Sequence, residues 1–238
     1  CALPIFKGSN VSFGISYLMI STPNNSLTSN LVDLIALEFL NFTINNVIIH
    51  YALKGGYNSM FHLKSTRLTK FTWDQVIINI EGNAVLGSII DNEGQIQQST
   101  MKNTVINCNI QSSFISNGET FKFVTLNDGA ESTLEMSNIT LVGNLTFNDA
   151  DSVYFLMEGI SSISVDHFNI TQTNDDKRLR KSNLKFFNID STNSLNFGNI
   201  WIDNLPKSLL INFNPIYNST TFLIISDIVV TRSTITLL

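Results

Sequence analysis

Charge is the first thing this chain is short of. Only 14% of its 238 residues are Asp, Glu, Lys or Arg, and 14 basic against 19 acidic residues leave a net charge of −5. Nucleic-acid binding needs clustered Lys and Arg on one face to neutralise phosphates, so that class of partner is excluded. Cysteine is nearly missing as well. Cys1 and Cys108 make no disulfide framework, and their spacing fits no metal site. No run approaches the ~18 continuous apolar residues of a membrane span. No signal peptide is visible, but a processed chain would already have lost one. The catalytic vocabulary is thin: there is no Gly-rich phosphate loop, no G-x-S-x-G and no H-E-x-x-H. The three histidines, His50, His62 and His167, are dispersed, so no catalytic or metal role is expected of them.

What the chain does have is a repeat. The pattern apolar–x–apolar–small/polar–Asn–apolar–x–apolar occurs as FKGSNVSF (6–13), LEFLNFTI (37–44), FTWDQVII (71–78), STMKNTVI (99–106), LEMSNITL (134–141), ISVDHFNI (163–170), LNFGNIWI (195–202) and LIISDIVV (223–230). The intervals are 31, 34, 28, 35, 29, 32 and 28 residues. A period of this size is the signature of a solenoid. With the apolar residue after the Asn taken as position 0, positions −5, −3, 0 and +2 are expected to face inward. Of those 32 slots 29 are apolar, the exceptions being Gly8, Ser99 and Thr104, where a chain 43% hydrophobic would fill about 14. Position −4 is polar in all copies but the last, which has Ile224. In–out–in is the period of a strand. Inward residues at both −3 and 0 break that period, so a two-residue bend is expected at −2 and −1.

Position −1 is polar in every copy: Asn10, Asn41, Gln75, Asn103, Asn138, His167, Asn199 and Asp227. Asn tolerates the left-handed backbone of a sharp bend. In stacked coils these side chains repeat every ~4.8 Å, close enough for carboxamides to bond from coil to coil. The column is therefore expected to be a buried amide ladder, with His167 taking the place of an Asn. A third apolar run precedes most copies, at 60–64, 88–91, 121–126, 153–157, 184–189 and 209–213, which gives three strands per coil.

Three strands per coil and a two-residue Asn bend resemble the right-handed parallel β-helix of the pectate-lyase-like superfamily, over about residues 5–235. The expected fold is all-β: one parallel β-helix domain over 1–238, about eight coils of 28–35 residues, either complete or a segment of a longer solenoid. Cys1 and Cys108 fall three coils apart, about 14 Å along the axis, too far for an internal disulfide. The resemblance implies either polysaccharide lyases and hydrolases or non-enzymatic tailspikes, adhesins and surface proteins. Fold alone does not choose between them.

Under the enzymatic alternative the site would use the carboxylates ending the third strand, Asp128, Glu158 and Asp190, with Asp91 in the same series and Lys185 the nearest base. Pairs ~5–9.5 Å apart suit glycoside hydrolysis, and clustered oxygens suit Ca²⁺. Asp and Asn are also ordinary strand-ending residues, and no catalytic motif supports the site. On the main reading there is no catalytic residue, cofactor or metal. The dense charge cluster DDKRLRK (175–181) reads as a solvated turn. Position +1 faces out yet holds Ile77, Val105, Trp201 and Val229, a candidate contact patch.

Seven Asn residues head N-x-S/T sequons: Asn10, Asn24, Asn41, Asn138, Asn144, Asn169 and Asn218. Asn24, Asn144 and Asn218 fall in variable turns and Asn169 faces outward at +1, so these four are expected to carry glycans in a eukaryotic secretory pathway. Ladder Asn are expected to be too buried for one. Scarce charge with abundant Asn, Ser and Thr points to an extracellular or cell-surface location. The expected function is a structural solenoid that self-associates end to end or laterally into filaments or matrix, or supports adhesion. The alternative is a carbohydrate-active enzyme or glycan-binding module. No nucleic acid and no membrane span are expected.

Overall fold

The computed structural model describes residues 6–8, 11–16, 19–22, 32–36, 38–53, 56–82, 85–110, 119–124, 132–143, 153–173, 184–190, 192–205, 208–214 and 221–236. The strands are β1 (Phe6–Gly8), β2 (Val11–Ser16), β3 (Met19–Thr22), β4 (Val32–Ala36), β5 (Glu38–Leu53), β6 (Gly56–Gly82), β7 (Val85–Ile110), β8 (Glu119–Val124) and β9 (Thr133–Gly143). They continue as β10 (Val153–Glu158), β11 (Ser162–Gln172), β12 (Leu184–Asp190), β13 (Ser194–Asp203), β14 (Ser208–Asn214), β15 (Phe222–Ile225), β16 (Ile228–Thr231) and β17 (Ile235–Thr236). Among the described residues every strand pairing is parallel and joins one repeat to the next, so the chain is an all-β parallel solenoid. Among the described residues no helix is long and apolar enough to cross a membrane.

The long strands turn corners. β6 runs through two of them, one where its register shifts between Lys64 and Arg67 and one at Gln75, where φ is 53°. One positive-φ residue marks the same corner in successive repeats: Asn46, Gln75, Asn103, Asn138, His167, Asn199 and Asp227, all with φ between 49° and 54°. This is the left-handed region, about 1–2 kcal/mol uphill for most residues and least so for Asn and Asp. A second corner uses Gly143, Asn204 and Arg232, also at positive φ.

The register corrects the sequence reading of the first two copies. Asn41 pairs with Lys70, not with Gln75, and Ser12 pairs with Asn41. The corner residue of the second repeat is Asn46, flanked by the pairs Asn45↔Asp74 and Val47↔Val76. The true second copy is therefore FTINNVII (42–49), and the first is FGISYLMI (13–20), since Phe13 pairs with Phe42 and Ile15 with Ile44. Asn10, placed in the ladder by the same reading, lies outside the described residues. LEFLNFTI and FTINNVII overlap and fit the same eight-residue template, so the template alone could not choose. The corrected intervals are 29, 29, 28, 35, 29, 32 and 28, and 30 of the 32 inward slots are apolar.

From residue 42 to residue 202 all 24 inward slots at the first corner are buried, including the two polar ones, Ser99 and Thr104. The third strand adds the buried side chains Phe61, Ile90, Phe155, Phe187 and Ile211, which fall in one column by register. Like residues stack along the axis: Phe42 on Phe71 with centroids 5.5 Å apart, Phe155 on Phe187 at 5.3 Å. Trp73 and Phe61, on two arms of the bent β6, meet edge to face in the core at 5.8 Å. Offset and T-shaped contacts of this kind add about 0.5–1.5 kcal/mol each beyond area burial. In residues 221–236 the inward positions are less covered, with Leu223 and Val230 40% and 41% exposed.

Candidate functional site

The corner side chains face out, not in. Gln75, Asn103, Asn138, His167, Asn199 and Asp227 are exposed and Asn46 is half-buried. The expected buried ladder is thus an external one. The geometric reason is simple: residues −3 and 0 both point inward, so −2 and −1 lie on the convex side of the bend. The amides still bond between coils. Asn138 Nδ2 donates to Asn103 Oδ1 at 2.8 Å, Asn103 Nδ2 to Asp74 Oδ1 at 2.8 Å, and Asn199 Nδ2 to Asp166 Oδ1 at 2.8 Å. Two of these three bonds therefore run to a carboxylate at −2 and one runs Asn to Asn. A bond to a charged acceptor is worth about 1.5–3 kcal/mol against about 1 kcal/mol for a neutral one, with exposure pulling both toward the lower end.

The most polar point on this edge is Asp166. Its Oδ2 lies 2.7 Å from His167 Nδ1 and its Oδ1 accepts from Asn199. The Asn199 amide foremost holds its carboxyl below the usual carboxylate range; desolvation works in the other direction, and His167 adds to the lowering. At the second corner Asp203 accepts from Arg232 Nε at 2.9 Å and from Thr231 Oγ1 at 2.7 Å, and it is likewise held low, first by Arg232.

Two more polar columns had no signal in the eight-residue template. Asn107 Nδ2 donates to Asn79 Oδ1 at 2.7 Å, and Asn79 Nδ2 sits 3.4 Å from His50 Nδ1, all three at position +3 of successive coils. On the third strand Asn212 donates to Asn188. Counting polar residues at +3 would have found the first of these: His50, Asn79, Asn107, Thr171, Asp203 and Thr231.

The third-strand carboxylates do not form one group. Glu158 and Asp190 are direct neighbours on adjacent strands, both half-buried. Asp91 belongs to a different column, level with His62 and Lys122. Lys185 is half-buried and level with Val153 and Leu209. Asp128 and the 175–181 cluster lie outside the described residues, as do Cys1, Asn24, Asn144 and Asn218. Among the described residues no three His, Cys, Asp or Glu are grouped to hold a metal ion.

The outward +1 column is continuous by register: Ile48↔Ile77↔Val105↔Thr140↔Asn169↔Trp201↔Val229. Ile48 and Ile77 are 38% and 37% exposed, Trp201 47% and Val229 42%. Val105, Thr140 and Asn169 are half-buried. The polar pair Thr140 and Asn169 divides this rank into two apolar halves. Comparison with protein-family models, with curated proteins and with solved structures finds no match.

Proposed function

We propose that this protein is an extracellular or cell-surface structural β-solenoid, architecturally of the pectate-lyase-like kind, that assembles by lateral packing of one copy on another. The observation that carries the reading is the rank Ile48, Ile77 and Val105. These are apolar residues in register on the outer face of a parallel sheet, where isolated chains normally present polar groups. Side chains repeating at the ~4.8 Å strand spacing match the same rank on a second copy, so the occupant is a second copy of this chain. Sparse charge, with 30 Asn on a chain of 238, supports an extracellular setting. The test is light scattering and negative-stain microscopy of the wild-type chain beside Ile77→Glu. Assemblies lost in the variant are expected; wild-type monomers at all concentrations would overturn the reading.

One observation favours a carbohydrate-active alternative: Glu158 and Asp190 are adjacent on neighbouring strands. Strand spacing places such a pair near the ~5–5.5 Å of a retaining glycosidase. Its expected outcome is that Glu158→Gln leaves assembly intact and abolishes cleavage of an acidic polysaccharide. A wild-type chain inert on such substrates sinks it.

A further inference from the structure

Asn169, Ile170 and Thr171 form a sequon near the C-terminal end of β11. Phe168 and Ile170 are fully buried, so Asn169 between them is turned to the outer face, where it is half-buried. Its neighbour in the next coil is Trp201, the most exposed residue of the +1 column, and beyond Trp201 lies Val229, also exposed. An indole at the water boundary with nearly half its surface open is a platform for a partner that is apolar on one face and polar on its rim. A pyranose ring is such a partner: its C–H bonds pack on the indole while its hydroxyls stay wet.

We propose that Asn169 is an N-glycosylation site and that its first N-acetylglucosamine packs on the face of Trp201. In the transfer, Asn169 Nδ2 forms the bond to the anomeric carbon of a lipid-pyrophosphate-linked oligosaccharide. The sugar–phosphate bond breaks, the lipid pyrophosphate leaves, and the amide gives up one proton. Attachment and platform are then one strand apart, about 4.8 Å, within the reach of the first sugar. The other described sequon residues have no aromatic platform of this kind. Asn138 sits in the corner at positive φ with its amide donating to Asn103, and Asn41 is level with Ser12 and Lys70. The consequence for the molecule is a division of the outer face. The glycan covers Trp201 and Val229 and leaves Ile48, Ile77 and Val105 for contact between copies.

The inference rests on the extracellular reading, and its test separates the two. The full chain is expressed behind a cleavable signal peptide in eukaryotic cells, so it meets the transferase wherever it resides natively. Glycopeptide mapping reads occupancy of Asn169. Acrylamide quenching of tryptophan fluorescence is then read before and after enzymatic removal of the glycan, with Trp201→Phe giving the contribution of buried Trp73. The expected result is an occupied Asn169, with Trp201 emission at shorter wavelength and less quenched while the glycan is present. An unoccupied Asn169 overturns the site; an occupied one whose removal leaves Trp201 quenching unchanged overturns the contact. Neither result bears on native location, which glycan analysis of protein from its own source decides.

Discussion

Positions −1 and 0 of the repeat are adjacent in sequence and opposite in fate. From residue 42 to 202, position 0 holds Val47, Val76, Thr104, Ile139, Phe168 and Ile200, none more than 1% exposed. Position −1 holds Asn46, Gln75, Asn103, Asn138, His167 and Asn199, all polar and all at positive φ. One column stabilises by excluding water; the other makes the bend that allows the first to exist. The lesson is that a polar column embedded in an apolar pattern need not be a buried network. Here it lies on the outside of a corner, where solvent satisfies whatever the coil-to-coil bonds do not.

The largest expected effect breaks the inward side of this contrast. Phe197→Asp buries a carboxylate in a column where Phe197 touches Phe187 at a centroid distance of 4.9 Å. An unpaired buried charge costs several kcal/mol, comparable with a whole domain's stability of about 5–15 kcal/mol. Circular dichroism should show an unfolded or aggregated variant. Asn196→Asp, one residue away and exposed, should melt within about 0.5 kcal/mol of wild type; equal damage from both would refute the in–out assignment.

The next effect tests the bend. Asn138→Ala removes a residue that tolerates the left-handed region and a bond to Asn103, together about 2 kcal/mol. Urea denaturation should also show Asn138→Gly losing less than Asn138→Ala, because glycine adopts positive φ without strain. Equal losses would mean that the hydrogen bond, not the backbone, matters at this column.

The smallest effect is electrostatic. The folded pKa of Asp166 lies below its unfolded value of about 3.9, so its contribution is complete above that pH and fades as pH falls through the folded value. Urea midpoints of wild type and Asp166→Asn should therefore converge as pH falls below the unfolded value and through the lowered folded one. Exposure keeps the difference small. Curves that stay parallel would show that the Asn199 and His167 contacts do not favour the ionised form.

Much of this was legible in the residues. The inward slots from Phe71 to Ile202 were identified by period alone, because each corner there contains a single polar pair between apolar alternations. The second repeat was not, because Asn41, Asn45 and Asn46 offer two overlapping fits and only pairing with Lys70 or Gln75 distinguishes them. The third-strand carboxylates looked like a series, and the register separates Asp91 from Glu158 and Asp190. Variable turns precede that strand, so counting residues along the chain does not preserve its columns.

The amino-acid order by itself determined the solenoid, its strand period and the place of the bends from residue 71 onward, because burial alternation and left-handed tolerance are local properties of each copy. Which of two overlapping templates the chain adopts at residues 37–49, and which carboxylates become neighbours, were decided only when coil stacked on coil. Those are questions of register between segments about thirty residues apart, and a one-residue shift exchanges inside for outside.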